Sequence, residues 1–316
     1  MANKLAMYAL AVRDRSRMLD VLNAAEFKKE RQTAAIIRLV HAVEKGLCID
    51  NPRLGFGIAK LNKLFDLCNS HASSFGNGEF CLKMARDAVK EYIAYHQQKG
   101  YQSEEFTKIC EAYATFPVKE QETDELFGGI LRVRYECAVS MEQLETFFAQ
   151  RHSVRDFTGE EVTEQEIFRA IHAAQCAPSA CNRQAVRAYV VPSAKICELY
   201  KNDLSGIGGF AENTDKFILI TGKLSAYDQG EYNQHIVSAS IFAAYLIEAL
   251  FAQKIGSCMV QRPLYYSTQW ENMAKALRVP GDERMVMMIA IGKIKDEYLA
   301  PVSKRFPTEQ IVKFVK

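Results

Sequence analysis

The 316-residue chain lacks a strong excess of either charge, since 40 basic residues balance 38 acidic ones and the net charge is +2. The two signs are well mixed, so no surface suited to a polyanion is indicated and we expect no nucleic-acid partner. A clear signal peptide is missing too, because the apolar N-terminal stretch is short and is soon followed by arginines. The nine cysteines form no repeating frame. Together these features favour a reducing cytoplasm.

Long apolar runs and familiar catalytic motifs are also missing. The longest apolar run, SASIFAAYLIEALFA, contains Glu248 and is shorter than the roughly 20 residues of a membrane span, so we expect no membrane segment. No GxSxG, HExxH or Walker sequence occurs. Cys176 and Cys181 have no second pair nearby, so no metal site is expected, and we interpret both as buried small hydrophobic side chains.

The length leaves room for about two domains. In the first part, apolar residues recur at helical spacing, as in Phe80, Met84, Ala88 and Tyr92, which predicts a helical N-terminal domain over residues 1–130. The charged stretch 117–129 ends in paired glycines and predicts a link. Residues 131–316 are the predicted second domain.

The second part alternates helix and strand signals. Capping boxes at Ser140 with Gln143 and at Thr163 with Glu166 predict helices from about 141 and 164. Runs at 186–191, 216–221 and 285–292 predict strands, and 233–253 predicts a long helix. Pro178 predicts that the second helix ends before CAPSACNRQ, residues 176–184, which becomes its exit loop. The pattern favours an α+β fold with three layers.

The stretch RHSVRDFTGEEVTEQEIFRAIHAAQCAPSACNRQ, residues 151–184, resembles the opening of the FMN-dependent nitroreductase family. IGSCMVQ at 255–261 resembles a second segment of that family, and the ending IAIGKIKDEYLAPVSKRFPTEQIV resembles its terminal strand and arginine motif. The resemblance covers about the last 170 residues. It implies a nitroreductase-like α/β/α domain preceded by the helical one.

By this resemblance, the chain binds FMN and takes hydride from NADH or NADPH in a ping-pong reaction. Arg151 and Arg305 would hold the phosphate with Ser153, because guanidinium groups suit a phosphate dianion. Arg155 would stabilise negative charge on the reduced flavin, and no side chain is expected to be essential for catalysis. The full set of implied cofactor-binding residues is Arg151, His152, Ser153, Arg155, Pro178, Ser179, Ala180, Asn182, Gln184, Met259, Val260, Gln261, Arg262 and Arg305.

The chain departs from the family pattern in three respects. Ala185 and Val186 replace a common Pro-Trp pair, and Ser303 replaces a lysine that often precedes the C-terminal arginine. The segment between residues 192 and 216 is short, so the insertion that covers the flavin in typical nitroreductases is not found. The sequence therefore does not identify the acceptor, which we expect to be a small nitro, quinone or other electrophilic molecule.

The resemblance also implies an intertwined homodimer with FMN at the subunit interface. HAVEKGLCIDNPRLGFG, residues 41–57, resembles an extension on nitroreductase-like proteins encoded near polysaccharide-biosynthesis genes. Two alternatives to a reductase follow. One is a flavin-dependent biosynthetic or dehalogenating enzyme on the same fold, and the other is a non-catalytic interaction protein in polysaccharide biosynthesis.

Overall fold

The computed structural model describes residues 2–119, 125–200, 206–261 and 268–315. The helical N-terminal region contains α1 to α5, and one further helix, α6, precedes the C-terminal sheet. The bounds are α1 Ala2–Asn23, α2 Lys28–Leu47, α3 Ile58–Phe75, α4 Phe80–Gln98, α5 Glu104–Ala114 and α6 Met141–Gln150.

The core of the helical region forms where α2, α3, α4 and α5 bring their apolar faces together. Leu64, Tyr92 and Ile109 are fully buried within it, as the helical spacing predicts. The Tyr92 hydroxyl still finds a partner, since it donates to the carbonyl of Phe56 at 2.8 Å. Phe80 is the exception to the predicted face, because it begins α4 and stays 58% exposed, with its ring edge-on to Phe127.

The C-terminal region has four strands and four further helices. Their bounds are α7 Glu164–Ala174, β1 Val186–Pro192, α8 Ser193–Tyr200, β2 Lys216–Lys223, α9 Gln234–Phe251, β3 Ile255–Val260, α10 Thr268–Ala276 and β4 Glu283–Lys293. The strands pair antiparallel in the order β1-β2-β4-β3. Both predicted capping boxes are present, at Ser140 and Thr163.

Both faces of the sheet are covered, which gives the predicted three layers. Along β2, Ile218 and Ile220 face a core shared with α7 and α9, whereas Phe217 and Leu219 face a core shared with α8 and α10. This alternation explains why the strand sequence is apolar throughout. The α+β fold and the three predicted strands are confirmed, but β3, α8 and α10 were not predicted.

Helix α9 carries the longest apolar run. By length and hydropathy alone it is the one candidate membrane span among the described residues. Its Ala239, Ala243, Leu246 and Leu250 are fully buried against the sheet. Packing of this kind is typical of the central helix of a layered fold.

The two regions meet along α1 and α2. Met18 of α1 and Ala34 of α2 pack in a small core with Ala185, Ala226 and Tyr227 of the C-terminal region. Ion pairs surround this core: Arg13 with Glu271 at 2.8 Å, Lys223 with Glu30 at 3.8 Å, and Arg38 with Asp228. The helical region therefore rests on the part of the C-terminal region that contains the exit loop. The predicted boundary between residues 130 and 131 stays a prediction.

Apolar side chains lie exposed on α6 and on the C-terminal tail, as they do on residues 131–139 before α6. Helix α6 contacts the long helix α9 through the rings of Phe147 and Phe251, 5.4 Å apart, and has no buried residue. Residues 301–315 are exposed throughout. The large apolar side chains exposed on α6 and on this tail are Met141, Leu144, Phe148, Val302, Phe306, Ile311, Val312, Phe314 and Val315.

Candidate functional site

The segment that follows α6 lies against the edge strand β3. The Val154 amide donates to the Ser257 carbonyl at 3.0 Å, and Ser153 and Ser257 form a parallel bridge. Gly256 allows this close approach, because a Cβ there would lie 2.9 Å from the Cβ of Val154. Two of the predicted motifs, 151–155 and 255–261, are thus brought together.

Arg151 is positioned at the end of α6 by a carboxylate of α9. Its Nε lies 3.1 Å from Oε1 of Glu248, and both side chains are largely buried. Burial raises the pKa of Glu248, while the charge and hydrogen bond of Arg151 oppose that rise. Because Glu248 engages Nε, the two Nη atoms of Arg151 remain for an anion such as a phosphate.

The other predicted residues of this segment lie nearby. His152 and Ser153 are half-buried, and the Arg155 guanidinium lies 6.0 Å from the ring centre of Phe210. Arg155 also lies close enough to Cys258 to oppose the rise that burial causes in the pKa of that thiol. Positive charge therefore gathers along the 151–155 segment.

On β3, the predicted residues differ in what they offer. Val260 is buried in the core on the α8 and α10 face, so its side chain is not available to a flavin. Met259 is half-buried and Gln261 is exposed at the end of the strand. Since β3 is an edge strand, its outer backbone groups are the atoms through which Val260 could still contact a ligand. Arg262 lies outside the described residues.

The exit loop has an unusual backbone. After Pro178 and Ser179 it makes a short 3-10 turn over Ala180–Asn182. Cys181, Asn182 and Gln184 all have φ between 49° and 54°, in the left-handed region that side chains other than glycine adopt at a cost. Inside the loop, the backbone amide of Gln184 donates to Ser179 Oγ at 3.0 Å. The side-chain amide of Gln184 donates to the Asn182 carbonyl at 3.3 Å, and the side chains of Asn182 and Gln184 are both exposed.

Arg183, which was not among the residues predicted from the sequence, binds the backbone of this loop. Its Nε donates to the Ala180 carbonyl and its Nη1 to the Ala226 carbonyl, each at 3.0 Å. Both Nη atoms bind the Glu231 carboxylate, and the guanidinium stacks 4.5 Å from the ring centre of Tyr227. The hydrogen bond from Arg183 lowers the pKa of Glu231 to about 2. We call Arg183, Glu231 and Tyr227 the loop clamp.

The two cysteines of the loop are not buried hydrophobic side chains, as the sequence had suggested. Cys176 is exposed and Cys181 is half-buried. The loop leaves them at the surface because its compact interior is occupied by Arg183. All nine cysteines are free thiols, and among the described residues no group of three or more His, Cys, Asp or Glu side chains could hold a metal ion.

The predicted residues lie on several segments of the C-terminal region. Among the described residues, no hydrogen bond, ion pair or ring contact joins the 151–155 segment to Pro178, Ser179, Ala180, Asn182 or Gln184. Arg305 lies in the exposed tail, where its Nη1 donates to the Ser303 carbonyl at 2.6 Å. Among the described residues, Arg305 makes no hydrogen bond or ion pair with the 151–155 segment.

The residues nonetheless fit a flavin mononucleotide in their chemistry. Arg151, whose Nη atoms make no hydrogen bond or ion pair with the described residues, is suited together with Ser153 and Arg155 to a phosphate and to a ring that gains negative charge. The exposed amides of Asn182 and Gln184 suit the polar edge of such a ring.

Comparison with known proteins agrees with this geometry. Residues 148–207 and 208–293 match the model of the nitroreductase family. The C-terminal region has a nitroreductase-like fold. The match supports an oxidoreductase of nitroreductase type.

Solved structures similar to the nitroreductase-like region come from several bacteria. An FMN-dependent nitroreductase of Clostridium difficile is 25% identical with a TM-score of 0.45, over 54% of this chain and 98% of that one. A nitroreductase family protein of Streptococcus pneumoniae is 22% identical with a TM-score of 0.46, over 54% and 100%. A Desulfitobacterium hafniense nitroreductase with bound FMN is 20% identical with a TM-score of 0.43, over 54% and 97%. No curated protein matches the chain significantly.

Proposed function

We propose that this protein is an FMN-dependent NAD(P)H oxidoreductase that reduces a small nitro, quinone or other electrophilic acceptor. The main support for the proposal is the contact between the 151–155 segment and β3. There the Val154 amide donates to the Ser257 carbonyl, inside the region that matches the family model. This contact joins two motifs that are about a hundred residues apart in the sequence. It places Arg151, Ser153 and Arg155 along one edge of the sheet.

In this proposal, each group of residues has a separate task. Arg151, oriented by Glu248, binds the phosphate through its free Nη atoms, with Ser153 as a further donor. Arg155 supplies positive charge beside the ring. Bound FMN supplies the hydride and electron transfer, while the protein binds and orients it. Pro178, Ser179, Ala180, Asn182 and Gln184 line the ring's polar edge.

The lack of direct contact between these groups, together with the exposed apolar side chains of α6 and the tail, supports a homodimer. The loop of one subunit would complete the site that the 151–155 segment of the other begins, and the apolar side chains of α6 and the tail would be covered in the interface. Arg305 would reach its phosphate once the tail packs on a partner subunit. Nine free thiols agree with the cytoplasmic location that forms part of the proposal.

The test begins with the absorption spectrum of the purified protein. We expect a yellow protein whose flavin absorbance is bleached by NADH or NADPH and returns when a quinone is added. Arg151→Ala should lose FMN on gel filtration, because the phosphate loses its charge-assisted donors. Arg169→Ala, which changes an exposed arginine of α7, is the matched control and should retain FMN. A colourless protein that takes up no added FMN would contradict the proposal.

The two alternatives give different results in the same experiment. A biosynthetic or dehalogenating enzyme would bind FMN but leave it oxidised with both nicotinamides. A non-catalytic interaction protein would show no dependence of its partner binding on Arg151.

A further inference from the structure

A cleft of about 440 Å³ lies between the helical region and the exit loop. We call it the α2 cleft. One wall comes from the helical region and includes Ile37 of α2 and Phe80 of α4, and the other includes Ser179, Arg187, Ser238 and Phe242. Its size lies within the range of about 300–1,000 Å³ that is usual for small-molecule sites.

The apolar part of the α2 cleft offers an aromatic surface to a ligand. Ile37 and Phe242 lie on opposite walls, one from each region. Phe80 stands at the cleft with 58% of its surface exposed, although its ring also contacts Phe127 at 5.5 Å between centroids. An exposed aromatic ring in a concave site offers a stacking surface at little cost in conformational entropy.

The polar part of the α2 cleft is suited to negative charge. No acidic side chain is among its described lining residues, whereas two arginines are. Arg183 is already neutralised by Glu231 in the loop clamp. Arg187 is exposed, donates only to the carbonyls of Val186 and Gln184, and has no carboxylate partner among the described residues. Its remaining donors are available to an anion.

The floor of the α2 cleft contains a buried hydroxyl that lacks a good partner. Ser238 is 2% exposed, and its Oγ forms no hydrogen bond of normal geometry among the described residues. The hydroxyl of Tyr227 interacts with it and is likewise without a well-formed hydrogen bond. Buried hydroxyls of this kind are usually satisfied by a ligand or an ordered water.

We propose that the α2 cleft binds a flat, conjugated small molecule with an anionic substituent. Phe80 and Ile37 contact its ring, Arg187 pairs with its charge, and Ser238 donates a hydrogen bond. The role of this molecule as the acceptor rests on the proposed function, because Ser179 and Gln184 line both this cleft and the proposed flavin edge. The helical region then determines acceptor specificity.

Two quinones that differ in charge test the proposal with the full-length, flavin-loaded protein. They are 9,10-anthraquinone-2-sulfonate and uncharged menadione, each of which gains two electrons and two protons, as hydride from NADH and a proton from water. Arg187→Gln should raise the KM for the sulfonate about tenfold relative to that for menadione, the loss of one charge-assisted hydrogen bond. Phe80→Ala should raise both KM values, with Phe80→Leu as the milder variant if Phe80→Ala folds poorly.

Ile49→Ala, which shortens an exposed side chain of the helical region away from the cleft, is the control and should change neither KM. The rate of flavin reduction by NADH is measured separately, so that a failure of the proposed function is recognised by itself. In that case, calorimetric binding of the sulfonate to wild type and to Arg187→Gln decides the question. Equal affinity of these two proteins, or unchanged KM values in both cleft variants, would overturn the proposal.

Discussion

Arg183 and Glu231 form a two-pronged ion pair, with Nη1 2.7 Å from Oε2 and Nη2 2.6 Å from Oε1, although 48 residues separate them. The pair contacts the exit loop, because Arg183 Nε donates a hydrogen bond to the Ala180 carbonyl. A loop with three left-handed residues keeps its shape only where its surroundings enforce it. The loop clamp does so together with the hydrogen bond from the backbone amide of Gln184 to Ser179 Oγ.

Arg183→Met should lower the free energy of unfolding by about 2–4 kcal/mol, because it leaves a carboxylate and two carbonyls without their donor. Glu231 is partly exposed, which keeps the loss below that of a fully buried pair. Urea denaturation measures the change. Arg169→Met is the control on the surface, and equal unfolding midpoints for the two variants would contradict a stabilising clamp.

Glu231 should also contribute an acid-sensitive part of the stability. The hydrogen bond from Arg183 lowers its pKa from the ordinary 4.5 to about 2. The contribution is therefore complete above about pH 4.5 and is lost as the pH falls toward 2. In urea denaturation from about pH 5 to pH 3, Glu231→Gln should lose less stability than wild type. Glu164→Gln, at an exposed carboxylate, should follow the wild-type curve.

Gly256→Ala should weaken FMN binding. The added Cβ would lie 2.9 Å from Val154 Cβ and 3.1 Å from Ile294, so the 151–155 segment must move away from β3. The cost of such overpacking is about 1–3 kcal/mol, and fluorescence titration with FMN would detect it. Gly78→Ala meets no atom within 4 Å and should bind FMN as wild type does. Equal affinity in the two variants would show that the segment does not position the cofactor.

Replacing the loop cysteines should leave FMN binding intact. Cys176 is exposed, and neither Cys176 nor Cys181 takes part in the loop clamp. We expect Cys176→Ser and Cys181→Ala to keep their flavin absorbance after gel filtration. Loss of flavin from a Cys181→Ala protein that unfolds at the wild-type urea concentration would assign the chemistry of the loop to that thiol.

Phe148→Glu should convert the expected dimer into a monomer. Phe148 is 52% exposed on α6, and a charge there would have to be desolvated in the interface. Light scattering during gel filtration gives the mass. Ile49→Glu, at an exposed site that lies on neither α6 nor the tail, should remain dimeric. A wild-type monomer that binds FMN tightly would contradict the shared site.

The sequence predicted the elements whose signals are local. Capping boxes placed α6 and α7, and apolar runs placed β1, β2 and β4. Strand β3 was not predicted because Gly256 and Ser257 interrupt its apolar pattern. Both residues contact Val154, which is about a hundred positions earlier in the chain, so their role is not visible in the local sequence. The short helices α8 and α10 have too few turns for a clear period.

The candidate site was predictable in part for the same reason. Ordered motifs identified the 151–155 segment, the exit loop and the end of β3. No pattern linked Arg183 to Glu231, because these residues are 48 positions apart and meet only when the C-terminal region folds. No pattern linked Phe80 to the loop, because the two line one cleft only when the two regions pack together. The burial of Val260 and the exposure of Cys176 likewise depend on the tertiary packing of the C-terminal region.

One small core joins the helical region to the C-terminal region, so it limits which fragments of the protein can fold alone. It consists of Met18, Ala34, Ala185, Ala226 and Tyr227. A fragment starting at residue 131 would expose the last three of these side chains to water, directly beside the loop clamp. We expect the stretch that folds cooperatively to extend beyond the stretch that matches the family model. Shortening the gene to that match should lower the free energy of unfolding of the C-terminal region and uncover apolar surface on it.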